Sequence, residues 1–112
     1  MFKLQINREK FLTMLGDGIP LVGVNLSNIN LSKLSMPGIN LAQANLSGAD
    51  LLKSKFPGAN IDGADFTDAL LDRSQQRALC ERASGKTAES LKCNSLSSGY
   101  VPASEGQNKF NP

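Results

Sequence analysis

The side chains with the clearest chemical potential are two cysteines. Cys80 and Cys93 are the only cysteines among 112 residues. They form one disulfide in an oxidising compartment or stay as two free thiols in a reducing one. A disulfide across a loop of this size stabilises a fold by about 3 kcal/mol, because it restricts the unfolded chain. The sequence contains no histidine, which excludes histidine-based catalysis and most zinc and haem sites.

Two short motifs resemble ligand-binding loops but have the wrong spacing. Residues 85–87, Gly-Lys-Thr, match only the end of a phosphate-binding loop, whose first glycine would fall at Cys80. Asn60, Asp62 and Asp65 are not spaced as in a calcium-binding loop. No nucleophile has an evident base beside it. We therefore expect no catalytic residue, no cofactor and no metal site, and we predict that the protein is not an enzyme.

Four basic side chains form a second candidate site. Lys33, Lys53 and Arg73 follow each other at intervals of twenty residues, and Lys55 lies close to Lys53. In a chain that coils every twenty residues, the first three would stack as a column at a spacing of about 5 Å, with Lys55 around the next corner. Such an edge suits an acidic partner or an anion, or it is a solvated surface that keeps the protein soluble.

An apolar residue returns at every fifth position through the middle of the chain. The series is Leu21, Leu26, Leu31, Met36, Leu41, Leu46, Leu51, Phe56, Ile61, Phe66 and Leu71. A second series, mostly small or aliphatic, comes two positions earlier: Val24, Ile29, Leu34, Ile39, Ala44, Ala49, Ser54, Ala59, Ala64 and Ala69. The residue between the two is mostly Asn or Asp. Period five fits neither a helix nor a flat strand.

A chain that turns a corner every five residues does fit this pattern. Both apolar series then point inward, and the Asn or Asp and the two following polar residues lie outside, where turn chemistry is tolerated. Four corners make a coil of twenty residues, and coils stack at about 4.8 Å with hydrogen bonds along the axis. Pro37 and Pro57 are twenty residues apart, as this coil requires. Residues 21–72 therefore predict about two and a half coils, with the Ser54 hydroxyl bonded to a nearby carbonyl.

The segments on either side of the repeat predict helical caps, because a short stack has two open ends. Residues 1–20 form the N-terminal cap, with a helix over 7–15 that begins at an Asn7 N-cap and ends at Gly16. Its apolar stripe would consist of Phe11, Leu12 and Leu15.

The C-terminal cap is predicted at residues 73–93. One helix covers 72–83, and a second short helix starts after Thr87 and ends near Cys93. Residues 94–112 are polar and rich in Ser and Gly, which predicts an extended or disordered tail.

Residues 44–48 (ANLSG), 49–51 (ADL) and 64–67 (ADFT) closely resemble the pentapeptide-repeat family. The resemblance covers residues 21–72. It implies an all-β solenoid, namely a right-handed quadrilateral β-helix, here of about two and a half coils with short α-helical caps at both ends.

The cysteine-containing segment carries a second resemblance. Residues 78–80 (ALC), 83–85 (ASG) and 89–93 (ESLKC) resemble the C-terminal cap of cyanobacterial and thylakoid-lumen pentapeptide-repeat proteins. That resemblance implies a disulfide between Cys80 and Cys93 and a location in the thylakoid lumen or periplasm. The first residues of the chain lack the apolar stretch of a secretory signal, and a cytoplasmic location is the alternative.

We therefore expect a non-enzymatic structural or protein-interaction module with an unknown protein partner, in a photosynthetic, cyanobacterial or chloroplast, context. The net charge of +2 predicts no nucleic-acid binding, and no apolar run is long enough for membrane insertion. Capped ends favour a monomer, although a flat face could form a dimer. The alternative is a DNA mimic that binds a topoisomerase. With five acidic against three basic residues, residues 21–72 are a poor imitation of a phosphate backbone.

Overall fold

The five-residue repeat forms a ladder of parallel bridges in the computed structural model, which describes residues 6–94. The bridges join residues twenty positions apart: Asn25 with Asn45, Asn30 with Asp50, Ser35 with Lys55, Asn40 with Asn60, Asn45 with Asp65, and Asp50 with Leu70. Each bridge falls on the position between the two inward series. The twenty-residue interval is the coil length that the sequence predicted. Successive coils of a β-solenoid therefore stack directly over one another.

Three kinds of backbone hydrogen bond tie one coil to the next, and one of them is donated by a turn residue, as Gly38 N–H does to Pro57 O at 2.8 Å. A residue of the inward series donates to the carbonyl nineteen residues later, as Leu26 N–H does to Asn45 O at 2.7 Å. The bridge residue of the later coil donates back, as Asn45 N–H does to Val24 O at 3.0 Å. Since the same set of bonds recurs at every side of the coil, the ladder is held by backbone groups and depends little on which side chains point outward.

Every fifth residue from 23 to 68 adopts a left-handed backbone conformation. Its φ lies between 59° and 74° at all ten positions, five of which are glycine. The other five are Asn28, Lys33, Gln43, Lys53 and Asp68. A left-handed residue costs roughly 1–2 kcal/mol when it carries a Cβ. The turn that closes each side therefore accepts Asn, Asp, Lys and Gln but is least strained with glycine.

Where the bridge position holds Asn or Asp, its side chain fixes the start of the turn. The Asn45 Oδ1 accepts from the Ser47 N–H at 3.0 Å and from the Ser47 hydroxyl at 2.7 Å. The same pair of bonds joins Asn30 to Ser32. This is the local side chain to backbone bonding that favours Asn, Asp and Ser in turns.

The core consists of the two inward series, as predicted. Most of their members are less than a tenth exposed, and Leu26, Leu31 and Leu46 are fully buried. The exceptions lie toward the ends of the stack, where Val24, Leu34, Ala69 and Leu71 are partly buried. Ser54 is also buried, and its hydroxyl donates to Leu51 O at 2.6 Å. This confirms the predicted hydrogen bond from that hydroxyl to a nearby carbonyl.

The N-terminal end is covered by α1, Arg8–Gly16. Asn7 is its N-cap and accepts from the Lys10 N–H at 2.8 Å, as predicted. Phe11 is fully buried under the first coil, but Leu12 is 40% exposed. The predicted stripe was wrong at Leu12, because a residue one position from Phe11 lies about 100° further round the helix.

The C-terminal end is covered by α2, Arg73–Cys80, and α3, Gly85–Ser90. The helix predicted over 72–83 is shorter, because Asp72 is its N-cap and the chain turns at Glu81. The second helix starts earlier than predicted, and it ends before Cys93 because Lys92 takes a left-handed φ of 59°. The tail predicted at 94–112 lies outside the described residues except for Asn94. None of the helices described between residues 6 and 94 is long and apolar enough to cross a membrane.

Candidate functional site

A groove of about 510 Å³ lies between the second coil and α2. We call it the cap groove. Its coil side consists of residues 53–57, and its other side comprises Asp72, Ser74, Gln75, Ala78, Leu79 and Arg82. The apolar members are Phe56, Pro57, Ala78 and Leu79, and the charged members are Lys53, Lys55, Asp72 and Arg82. An apolar surface with a few charged groups at its margin is the usual composition of a binding site.

Gln75 fixes the wall of the cap groove to the coil. Its Oε1 accepts from the Asp72 N–H at 2.9 Å, and its own N–H donates to Asp72 Oδ1 at 2.7 Å. These two bonds are a capping box at the start of α2. The side-chain Nε2 also donates to Ser54 O at 2.9 Å. One side chain therefore caps the helix and attaches it to the last full coil.

The cap replaces the missing next coil at two points of the ladder. The Gln75 side-chain Nε2 donates to the Ser54 carbonyl. In a continued coil, the backbone N–H of residue 75 would donate to that carbonyl instead. The Ser90 hydroxyl accepts from Phe66 N–H at 2.9 Å, where a carbonyl of residue 85 would lie. Side chains of the cap thus satisfy part of the open edge that every solenoid end presents.

Between those two points the edge stays open. One coil earlier, Met36 N–H donates to Lys55 O at 2.7 Å and Gly38 N–H donates to Pro57 O at 2.8 Å. The equivalent amides twenty residues later belong to Phe56 and Gly58. Among residues 6–94 these two amides, and those of Ile61 and Gly63 further along the same edge, have no hydrogen-bond partner, because the chain leaves the ladder after residue 72.

The four predicted basic residues divide between two places. Lys53 and Lys55 line the cap groove, and Lys33 occupies the same left-handed turn as Lys53 one coil earlier. All three are exposed. Arg73 opens α2 and is not a third rung of the column, because the Asp72 cap turns the chain out of the coil. Within residues 6–94 no carboxylate forms an ion pair with Lys53 or Lys55.

The two cysteines form a disulfide between the last residue of α2 and the residue that follows the turn after α3. The S–S distance is 2.04 Å and the Cα atoms are 5.6 Å apart. The bond confirms the pairing that the resemblance implied. It closes the cap covalently beside Leu79 and Leu91, which are both buried, and so holds both helices over the end of the core.

The remaining polar groups of note have structural roles. The hydroxyl of Thr67, bonded to Asp65 at 2.6 Å, holds the pKa of that carboxyl below its usual range, with help from the Thr67 N–H. Thr87 is 2% exposed, and its Oγ1 has no hydrogen-bond partner in the described chain. In the part of the chain that the structure describes, no group of three or more His, Cys, Asp or Glu side chains could hold a metal ion.

Sequence reasoning missed three residues that build the site. Gln75 was recoverable, because a Gln three positions after Asp72 is the sequence signature of a capping box. Arg82 lies in the turn after α2 and Ser90 at the end of α3. Neither carries a local signal for its role, since each depends on how the cap folds back over the coil.

The repeat region is similar to a known protein family. The family model for pentapeptide repeats matches residues 21–51 and 38–73, with eight copies. A solved structure with similarity to this chain is a pentapeptide repeat protein from the thylakoid lumen of Arabidopsis thaliana, at 34% sequence identity and a TM-score of 0.48. The alignment covers 64% of this chain and 62% of that one, so the chain spans less than two thirds of the length of that structure. No curated protein matches the sequence.

Proposed function

This chain is a pentapeptide-repeat protein, with its repeats at residues 21–73, and we propose that it is a non-enzymatic protein-interaction module of an oxidising compartment. The observation that carries the proposal is the cap groove. There the open backbone edge at Phe56, an apolar floor and two lysines without a carboxylate partner among residues 6–94 lie beside a cap that is closed by a disulfide. A rigid surface of this kind binds without needing to rearrange, which lowers the entropic cost of association.

The absence of enzymatic activity is part of the proposal. The charged groups that line the cap groove are Lys53, Lys55, Asp72 and Arg82, and none of them is paired as a nucleophile with a base. The pKa shift at Asp65 is explained by Thr67, its partner within the same turn. Perturbed acids at active sites are instead shifted by burial or by neighbouring charges.

The proposed compartment follows from the disulfide, because such bonds persist where the environment is oxidising. A lumen or periplasm fits this requirement. Within that class we favour a photosynthetic lumen, on the resemblance of residues 78–93 to the caps of cyanobacterial and thylakoid-lumen relatives. The proposal also takes the coil to be right-handed and four-sided, as the repeat predicted. The twenty-residue bridges support four sides of five residues.

We propose that the protein works as a monomer, because helices cover both ends of the stack. A DNA-mimicking role is not favoured. The three lysines of residues 21–72 offset three of the five acidic residues, whereas a phosphate backbone carries one negative charge about every 1.7 Å. A gyrase supercoiling assay tests this alternative, and we expect no inhibition.

The proposed function is tested by photo-cross-linking in the native source. A photo-reactive amino acid is placed at one exposed position on each of the four sides of the coil, namely at Lys33, Gln43, Lys55 and Asp68. We expect a discrete protein adduct from at least one side, with Cys80 and Cys93 protected from thiol labelling in the same sample. No protein adduct from any side would overturn the interaction role, and two labelled thiols would overturn the oxidising compartment.

A further inference from the structure

The open edge offers two amides to an extended segment, one from Phe56 in the cap groove and one from Gly58, which follows Pro57 at the margin of the groove. The chain turns at Gly58, whose φ is 71°, so the match is limited to these two bonds. The two amides lie two residues apart, as do the Lys55 and Pro57 carbonyls that occupy the equivalent amides of the coil before. In an extended chain the carbonyls of residues two apart point to the same side. An extended segment is therefore the ligand whose backbone matches this edge.

The residues beside the edge indicate which side chains a bound segment would need. Phe56, Pro57, Ala78 and Leu79 give the cap groove an apolar floor. Lys53, Lys55 and Arg82 supply three positive charges against the single carboxylate of Asp72. Because side chains alternate along a strand, a segment that alternates apolar and acidic residues places one set on the floor and the other beside the basic groups.

We propose that the cap groove binds an extended acidic segment of a partner protein, which continues the ladder by hydrogen bonding to Phe56 and Gly58. This inference rests on the proposed function and names the site and the chemistry of the partner. The segment takes the place of the coil that α2 interrupts. Its backbone supplies affinity, and its carboxylates select it from other strands by charge complementarity.

A protein segment suits this site better than a nucleic acid. Single-stranded nucleic acids bind to aromatic side chains on which their bases stack. Phe56 is the one aromatic residue that lines the cap groove, and it is only 7% exposed. The floor therefore offers no stacking face, although the three cations would attract phosphates.

The test is a titration of the full, oxidised chain with a synthetic peptide of eight residues that alternates valine and glutamate. Binding is followed by the NMR shifts and hydrogen-exchange rates of the Phe56 and Gly58 amides. We expect both amides to exchange at least about tenfold more slowly when the peptide is bound, since a hydrogen-bonded amide must open before it exchanges. A peptide with lysine in place of glutamate should fail to bind. A glutamate peptide in which ester linkages supply the two carbonyls that face the edge should bind more weakly, because an ester carbonyl accepts a hydrogen bond less strongly than an amide carbonyl.

Charge-reversed variants locate the site. We expect Lys53→Glu with Lys55→Glu to weaken binding of the peptide by about tenfold or more, because each exposed ion pair contributes a few-fold and reversal adds repulsion. The matched control is Lys33→Glu, at the same turn as Lys53 one coil earlier and outside the cap groove. It should change the affinity less than about twofold. Thermal unfolding checks that all variants fold.

Each other outcome overturns the inference. No binding, equal loss in Lys33→Glu, tighter binding of a poly-thymidine oligonucleotide than of the peptide, or occupation of the cap groove by residues 95–112 of the same chain would do so. If the native-source experiment yields adducts from another side of the coil while this titration fails, the interaction role stands and the cap groove is the wrong site.

Discussion

The ladder of residues 21–71 and the cap of residues 72–93 provide hydrogen bonds to the edge of a coil in different ways. Both must satisfy the backbone groups at the edge of a coil. The ladder does so with backbone, as at Met36 and Gly38, and the bonds are independent of the outward side chains. The cap does so with side chains, through Gln75 and Ser90. The backbone bonds recur on every side of the coil, whereas under the cap the amides of Phe56, Gly58, Ile61 and Gly63 have no partner among residues 6–94. The functional surface of this molecule lies where the ladder gives way to the cap.

The largest effect should come from the ladder core. Leu46→Ala removes a fully buried side chain between two coils and should lower the free energy of unfolding by about 3 kcal/mol. The control is Leu52→Ala, at a leucine that is 39% exposed, which should change it by less than about 0.5 kcal/mol. Both are measured by chemical denaturation. Similar losses in the two variants would contradict the assignment of the inward series.

The cap should depend on its disulfide to a similar or slightly smaller extent. Replacing Cys80 and Cys93 together by serine should lower the free energy of unfolding of the cap by about 3 kcal/mol, because the unfolded chain regains the freedom of the loop. The loss should be local, so that amide exchange rises in α3 while the Asn45 amide of the ladder stays protected. Equal acceleration at both sites would show that ladder and cap unfold as one unit, which contradicts this expectation.

The left-handed turns are a specific weakness of the ladder. In Gly38→Ala the added Cβ meets no atom within 4 Å, but the alanine must adopt a φ of 68°. We expect the free energy of unfolding to fall by about 1–2 kcal/mol. Gly16→Ala at the end of α1 also meets open space but has no positive φ. It should be neutral or stabilising, since alanine favours a helix. Only Gly38→Ala should lower the midpoint of chemical unfolding, and a loss of similar size in Gly16→Ala would refute the left-handed turn as the cause.

The cap should be easier to improve than the ladder. Thr87→Val replaces a buried hydroxyl that lacks a partner in the described chain by a methyl group of similar shape. We expect a gain of about 1 kcal/mol, the smaller end of the cost of an unsatisfied group. Thr13→Val is the control, because the exposed Thr13 hydroxyl donates to Glu9 O. No gain at position 87 would mean that the hydroxyl has found a partner.

The smallest effect should be the pH dependence of the Asp65 turn. Since the Thr67 hydroxyl and N–H lower the pKa of Asp65, its carboxylate stabilises the folded state above the ordinary pKa of 3.8. That contribution is lost as the pH falls below 3.8 and through the lowered value. Asp65→Asn, which copies Asn45 one coil earlier, should flatten the dependence of stability on pH in this range. A steeper loss in acid for the variant would contradict this sign.

The sequence was sufficient for the ladder because each residue there has one role, set by its place in a period of five. The inward positions, the twenty-residue coil and the Ser54 hydroxyl bond all follow from that register. The left-handed turn residue did not, because Lys53 and Gln43 give no sign of a positive φ. Only glycine at half of the equivalent positions hints at it.

The cap was harder to predict because its contacts are not periodic. Asp72 and Gln75 form a capping box that marks the start of α2 in the sequence. Because α2 begins there, Arg73 lies outside the predicted basic column. The use of Gln75 to hold Ser54, and of Ser90 to hold Phe66, depends on how helices of eight and six residues fold back over the coil. Such contacts bridge more than twenty residues of sequence and have no local signature. The open edge is their consequence and was therefore not foreseen.

One measurement tests this account most directly, namely the hydrogen-exchange rates of four amides in the isolated, oxidised chain. Met36 and Gly38 donate to Lys55 O and Pro57 O, and Phe56 and Gly58 are their equivalents one coil later. The account predicts slow exchange at Met36 and Gly38 and exchange at least about tenfold faster at Phe56 and Gly58, because only the first pair is hydrogen-bonded. Equal protection of all four would contradict it, since the edge on which the cap groove depends would then be closed.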